Sequence, residues 1–183
     1  MKLKLVSTII LFDIVLIIFI TYMLVQHNKT NGGFNLPKGQ NVSIYGVILN
    51  DGGVNGEVLG CGDSLVPVRN YESEQFREVS EGLINEAVSE LFALSNEIIG
   101  GDAVDGALFT AAYQPELTVD GVEINGSVAN VFLSGKISMG GVCDTPRFEK
   151  QLERTATQFE GIDFARFYLN GSEENYRASL SSR

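Results

Sequence analysis

The stretch Pro146–Gly171, PRFEKQLERTATQFEGIDFARFYLNG, decides the fold. Its first half repeats Phe148, Leu152, Thr155 and Phe159 at helical spacing, which makes one apolar stripe. Glu149, Lys150, Glu153 and Arg154 fill the wet face. Thr145 is placed to cap this helix with its hydroxyl, and Pro146 sits where a missing N–H costs nothing. Gly161 fits the position just past the helix, where a left-handed residue ends it. Phe164 to Leu169 then read as a strand that stops at Asn170-Gly171. Ala165, Phe167 and Leu169 share its apolar face, and Phe164, Arg166 and Tyr168 the more amphipathic one. A helix feeding straight into a strand folds back on it, because its stripe needs a sheet to cover.

Upstream, Ser134 to Asp144 is a glycine-rich loop leading into this helix. Leu117–Ile124 and Ser127–Leu133 are β-rich runs joined by Asn125-Gly126, a hairpin signal that predicts positive φ at both residues. Phe76, Val79, Leu83, Ile84, Ala87, Val88, Leu91 and Leu94 mark another long helix. Glu74, Glu78, Glu81, Glu86 and Glu90 line its solvated side. Val42–Leu49 is a first strand, Asn50-Asp51-Gly52-Gly53 a turn, and Leu65–Arg69 a short second strand. Val54–Gly62 is glycine-rich and matches no single element. Ser95–Pro115 is a long loop with an apolar patch at Ala107–Ala112, so it is functional or partly structured. Ser172–Arg183 is polar and is expected to fray. The order strand, strand, helix, hairpin, helix, strand predicts an α+β fold, a small sheet of about four to five strands with two helices on one face.

Leu5–Val25 is apolar except for Asp13 and a few small polar groups. As a helix it would span about 31 Å, the thickness of a bilayer core. Asp13 costs about 2.5–3.5 kcal/mol near the centre, while each Leu, Ile, Val or Phe returns about 0.3–0.6 kcal/mol, so insertion wins. A cleaved signal peptide is the competing reading. The run is long for one, no alanine precedes Ala87 to form a cleavage site, and no cysteine follows closely enough for a lipid anchor. Lys2 and Lys4 favour an amino terminus on the inside. Asp13 is either tolerated or contacts a partner helix. The expected organisation is a stub and transmembrane signal anchor over 1–27, a linker over 28–40, a domain over 41–171 and a polar tail over 172–183.

The formal net charge is −10. Residues 1–29 hold about +2, leaving about −12 on the rest, with no basic cluster. That argues against a nucleic-acid surface and for a soluble acidic domain. The single histidine, His27, flanks the apolar run, which removes histidine-based triads and most zinc sites. Cys61 and Cys143 each lie in a glycine-rich loop beside an aspartate, as GCGD and GVCD. Two cysteines outside a membrane are expected to be oxidised, so they are predicted to form a disulfide, against the alternative of two free thiols. Val58–Gly62 looks like a methyltransferase glycine loop but lacks the βαβ context. Asp102 and Asp105 lack the rest of an EF-hand. Asn28, Asn41, Asn125 and Asn170 match the N-x-S/T glycosylation pattern. No cofactor is implied.

Three stretches carry a family resemblance: CGDSLVPVRN at Cys61–Asn70, LTVDGVEINGSVANVFLSG at Leu117–Gly135 and TATQFEGIDFARFYLNG at Thr155–Gly171. In order and spacing they resemble a GerMN domain, the sporulation and spore-germination module. Glu160 stands where the family usually has proline, and Ser95–Pro115 departs most from its pattern. The loop carrying Cys143 resembles a subgroup with a matching cysteine pair. The resemblance implies a non-catalytic, extracytoplasmic module of a bacterial envelope, held by a membrane or lipid anchor. It also implies binding of cell-wall material or of other proteins, and its fold is similar to the ring-building modules of secretion and sporulation complexes.

Two functions compete. In one, the domain binds an envelope ligand, a glycan or peptide, with Phe109 and Tyr113 as an aromatic platform in the long loop. The plainer reading of those two rings is core packing. In the other, the domain assembles with itself or a partner through helix faces or a sheet edge, concentrated by its anchor. Carboxylate chemistry on a glycan has no specific support in the sequence.

Overall fold

A computed structural model describes residues 39–76, 78–95 and 108–181. The predicted membrane span, the linker up to Lys38, and Asp102 and Asp105 lie outside the described residues. Among the described residues no helix is long and apolar enough to cross a membrane. A compact unit spans Gly39–Arg183.

The chain forms β1 (Asn41–Ile48), β2 (Glu57–Val58), a single 3₁₀ turn (Gly60–Gly62), β3 (Ser64–Glu72), α1 (Glu81–Ala93), β4 (Leu108–Phe109), β5 (Leu117–Asn125), β6 (Val128–Gly135), α2 (Asp144–Thr157), β7 (Phe164–Leu169) and α3 (Glu173–Ser181). The α+β class holds, but the single sheet does not. The strands make two sheets, β2-β3-β1-β4 and β5-β6-β7. The reason lies in β1. It pairs fully with β3, from Asn41↔Glu72 to Ile48↔Ser64, but on its other side β4 reaches only Val47 and Ile48. No strand of the second hairpin joins it there. Instead β7 returns beside β6 in parallel register, Val128↔Phe164 to Leu133↔Leu169, with α2 as the crossover.

Both long helices bury their stripes in one core. Leu83, Ile84, Ala87, Val88 and Leu91 of α1 and Phe148, Leu152 and Ala156 of α2 meet Val42 and Ile44 of β1. Ala129, Val131 and Leu133 of β6 and Phe167 and Leu169 of β7 complete it. Val47, Leu59 and Leu65 form a separate small cluster. The predicted stripe of α2 is buried, but the helix ends at Thr157 with Gln158 in helical conformation as its cap; Gly161, at φ 84°, lies three residues further on in the following turn and does not end the helix.

Several local expectations need correction. Cys143, not Thr145, takes the N-cap position of α2, without a side-chain cap bond. The Thr145 hydroxyl instead donates to the Leu180 carbonyl, 3.1 Å away, because α3 lies within its reach. The first long helix begins at Glu81, where Ser80 accepts from the Leu83 N–H at 3.3 Å; Phe76 and Val79 precede it and pack on the core from a loop. The hairpin closes on Asn125↔Val128, so its turn is Gly126-Ser127, and only Gly126 has positive φ, 63°. That is the pattern of a turn with glycine first, which spares Asn125 the left-handed region. The tail does not fray at once. Tyr176 is buried, its ring 5.4 Å from that of Phe167, and this contact anchors α3.

Candidate functional site

The glycine-rich ends of the two cysteine loops come together first. Cys61 adopts φ 65° and Gly62 φ 75°, which turns the chain back before β3 and brings Cys61 to Cys143. The two are disulfide-bonded, with Cα atoms 5.9 Å apart. The aspartate beside each cysteine is then drawn into one cluster. Asp63 is fully buried; its Oδ1 accepts the Asn50 N–H at 2.9 Å and its Oδ2 accepts Arg147 Nε at 2.7 Å. Arg147 Nη2 is also 2.7 Å from that oxygen, and Nη1 donates to Asp144 at 3.1 Å. Asp144 in turn accepts the Gly140 N–H at 2.9 Å. The guanidinium lies over the Phe109 ring, 5.2 Å from its centroid. Both carboxylate oxygens of Asp63 are engaged, so the cluster ties together the loops that precede β3 and α2.

A second set of ties uses amides. Gln151 is fully buried; it donates to the Tyr45 carbonyl at 2.6 Å and to Thr110 at 3.0 Å, and accepts the Ala111 N–H at 3.0 Å. Gln158 accepts the Ser43 N–H at 2.6 Å and donates to the Ser43 carbonyl at 3.0 Å. These two side chains act as strand partners for the length of β1 that β4 does not reach. Sequence reasoning missed them, because a glutamine beside an apolar stripe reads as surface.

The predicted ligand pair is placed as follows. Phe109 sits in β4, half-buried under Arg147, while Tyr113 is 43% exposed. No ring contact joins them among the described residues. Their neighbours Thr110, Ala111, Ala112 and Gln114 are buried, so most of the patch belongs to the core.

A second aromatic group, two half-buried rings and one exposed one, lies on the outer face of β5-β6-β7. Parallel pairing sets Phe132 against Tyr168, with ring centroids 5.1 Å apart. Phe164 on the same face is 66% exposed. Asn130, in register with Arg166 and Glu123, is buried; it accepts from the Tyr168 hydroxyl at 3.4 Å and donates to the Glu123 carbonyl at 3.3 Å. The helices cover the opposite face, where Ala129, Val131 and Leu133 are buried. The alternation of Phe164, Arg166 and Tyr168 was visible in the sequence; the placement of Phe132 beside them was not, because it depends on the pairing of β6 with β7.

Among the described residues no group of His, Cys, Asp and Glu is arranged to hold a metal ion. The arrangement is that of a small two-sheet α+β module with a cross-linked loop cluster and an open aromatic sheet face. The family model for sporulation and spore germination, Germane, matches residues 54–175. The chain belongs to this family. No curated protein and no solved structure matches the chain.

Proposed function

We propose that this chain is a membrane-anchored, extracytoplasmic module that binds an envelope ligand, a cell-wall glycan or peptide, without converting it. The observation that carries this reading is the outer face of β5-β6-β7. Stacked aromatic rings suit the flat faces of sugars and peptide groups, and guanidinium and carboxylate groups beside them supply orientation. Phe132, Tyr168 and Phe164 would form the platform, steadied by buried Asn130 beneath Tyr168, with Arg166 and Glu123 beside it. Tyr113 and Phe109 belong to the same proposal as a separate contact. A non-catalytic role is supported by the use of buried Asp63 in an ion pair rather than as a free acid. The anchor rests on Leu5–Val25, and the oxidised cysteine pair favours an outside location.

Retention of the purified full-length chain on isolated cell wall tests the reading. Phe164→Ala with Tyr168→Ala should lower retention by at least about tenfold, equivalent to roughly 1.4 kcal/mol. Tyr113→Ala reports on the second contact. No retention of the unaltered chain would sink the proposal. Protease added to intact cells should remove the domain and spare an N-terminal tag; protection of the whole chain would reverse the topology.

A further inference from the structure

The edges of the two sheets are closed unevenly. On β1, the groups that β4 leaves unpaired are taken by Gln158 and Gln151. On β5, the Ile124 N–H is taken by Glu81 at 3.2 Å. On β7, Phe164 and Asn170 donate toward β6, to Ser127 and Leu133 at 3.2 and 2.8 Å. Ala165 and Phe167, of opposite parity, therefore turn their N–H and C=O groups away from β6. Leu169, next in that parity, donates back to Ser172 at 3.0 Å, which confirms the direction. Among the described residues β7 has no strand on that side.

Ala165, Arg166 and Phe167 border a groove of about 450 Å³ whose other walls are Glu149 and Glu153 of α2 and Glu173, Tyr176 and Arg177 of α3, three carboxylates against two guanidinium groups. An open pair of N–H and C=O groups in a groove is the feature that an added strand satisfies. The charges choose among strands. Lys150 meets Glu153 and Arg177 meets Glu173, but Glu149 has no ion pair among the described residues. Partial burial, and then Glu153, hold its carboxyl above the ordinary range, so an added cation would be favoured there. A second copy is disfavoured, since it would set the same glutamates against each other on chains that each carry −10.

We propose that β7 is an acceptor edge that adds an extended peptide strand bearing lysine or arginine, supplied by a partner protein, with a cation seated against Glu149. The site borders the aromatic face at Arg166 but differs from it in using the backbone at the sheet's edge rather than side chains on its flat.

The experiment uses the full-length chain and two synthetic octapeptides, acetyl-TVKVTVKV-amide and its counterpart with glutamate for lysine. Hydrogen exchange is read at the Ala165 and Phe167 amides. The lysine peptide should slow both by at least about tenfold at saturation, and the glutamate peptide should bind at least about tenfold more weakly. Glu149→Lys, an exposed change, should reverse that preference while wall retention stays as it was. The proposal is overturned if the lysine peptide fails to bind at millimolar concentration, binds without protecting these amides, or binds no better than its counterpart. Protection that appears without peptide and grows with protein concentration would also overturn it, in favour of self-association.

Discussion

Replacing Arg147 with methionine removes the partner of a carboxylate that has no access to water. The Asp63 side chain is 1% exposed and that of Arg147 15%, so solvent cannot take over when the guanidinium is lost. Asp63 would keep only the Asn50 N–H, at 2.9 Å. Breaking a buried pair from one side costs about 3–5 kcal/mol. Methionine fills similar volume and can still lie against Phe109, so cavity formation adds little. With a domain stability of about 5–15 kcal/mol the variant should still fold at 25 °C. For a unit of roughly 140 residues, each kcal/mol moves Tm by about 3–4 °C, so the expected fall is roughly 9–20 °C. Adding Asp63→Asn removes the stranded charge and leaves an acceptor for Asn50. The double variant should therefore recover at least about 1 kcal/mol over Arg147→Met alone. Lys150→Ala serves as a control, since its pair with Glu153 is about half exposed and should contribute less than about 0.5 kcal/mol. Thermal and urea unfolding of the oxidised proteins read all four. An Arg147→Met melt within about 2 °C of the unaltered chain, or a double variant no better than the single one, would refute the argument.

Reduction of Cys61–Cys143, which closes a separation of 82 residues, should lower stability by up to about 4.5 kcal/mol in urea unfolding. Two alkylatable thiols in protein taken unreduced from its native host would remove the bond. Leu152→Asp should unfold the domain, since Leu152 is fully buried, while Glu153→Ala should melt like the unaltered chain; equal melts for the two would overturn the helix phase. Glu149 is held above its ordinary value of 4.5 in the folded state, by partial burial and by Glu153, so its ionised form opposes folding. Glu149→Gln should therefore raise Tm at pH 7, and the gain should fade as the pH falls to about 4.5 and below, where the carboxyl is protonated in both states. A gain that persists at pH 3 would point to packing instead.

Much of the fold was legible because its signals are local. The stripe of α2, the positive φ of Gly161, the span of β7 and the existence of the β5-β6 hairpin all depend on residues within a turn or two of each other. The number of sheets was not legible. Alternation along β1 says that one face is buried, not which strand lies beside it, and the answer depends on Gln151 and Gln158, more than a hundred residues away. The last helix was missed for a related reason. Tyr176 and Leu180 make a thin stripe in a polar run, and only Phe167 beneath Tyr176 makes that stripe sufficient. Of the candidate site, the cysteine pair and the amphipathic face of β7 could be read directly. The role of Phe109 could not, because Arg147 reaches it from another element.

The division into two sheets follows from the two faces of α2. Phe148, Leu152 and Ala156 make an apolar stripe that enters the common core, and Phe159, just past the helix, joins it there. Cys143, Arg147, Gln151 and Gln158 make a second stripe beside it, stepping along the helix at intervals that keep them on one side. Each member of that second stripe reaches the first sheet or the loops that feed it. Cys143 is bonded to Cys61, Arg147 to Asp63, Gln151 to the Tyr45 carbonyl and Gln158 to both backbone groups of Ser43. A strand in the place of this stripe would have extended the first sheet into the second. A helix there satisfies the same backbone groups with side chains, because buried N–H and C=O groups need partners but not strand partners. The residues that look least like a core, a cysteine, an arginine and two glutamines, are thus the ones that set the architecture. Among the described residues they leave Phe164 exposed on the far face of β5-β6-β7 and the edge of β7 without a further strand.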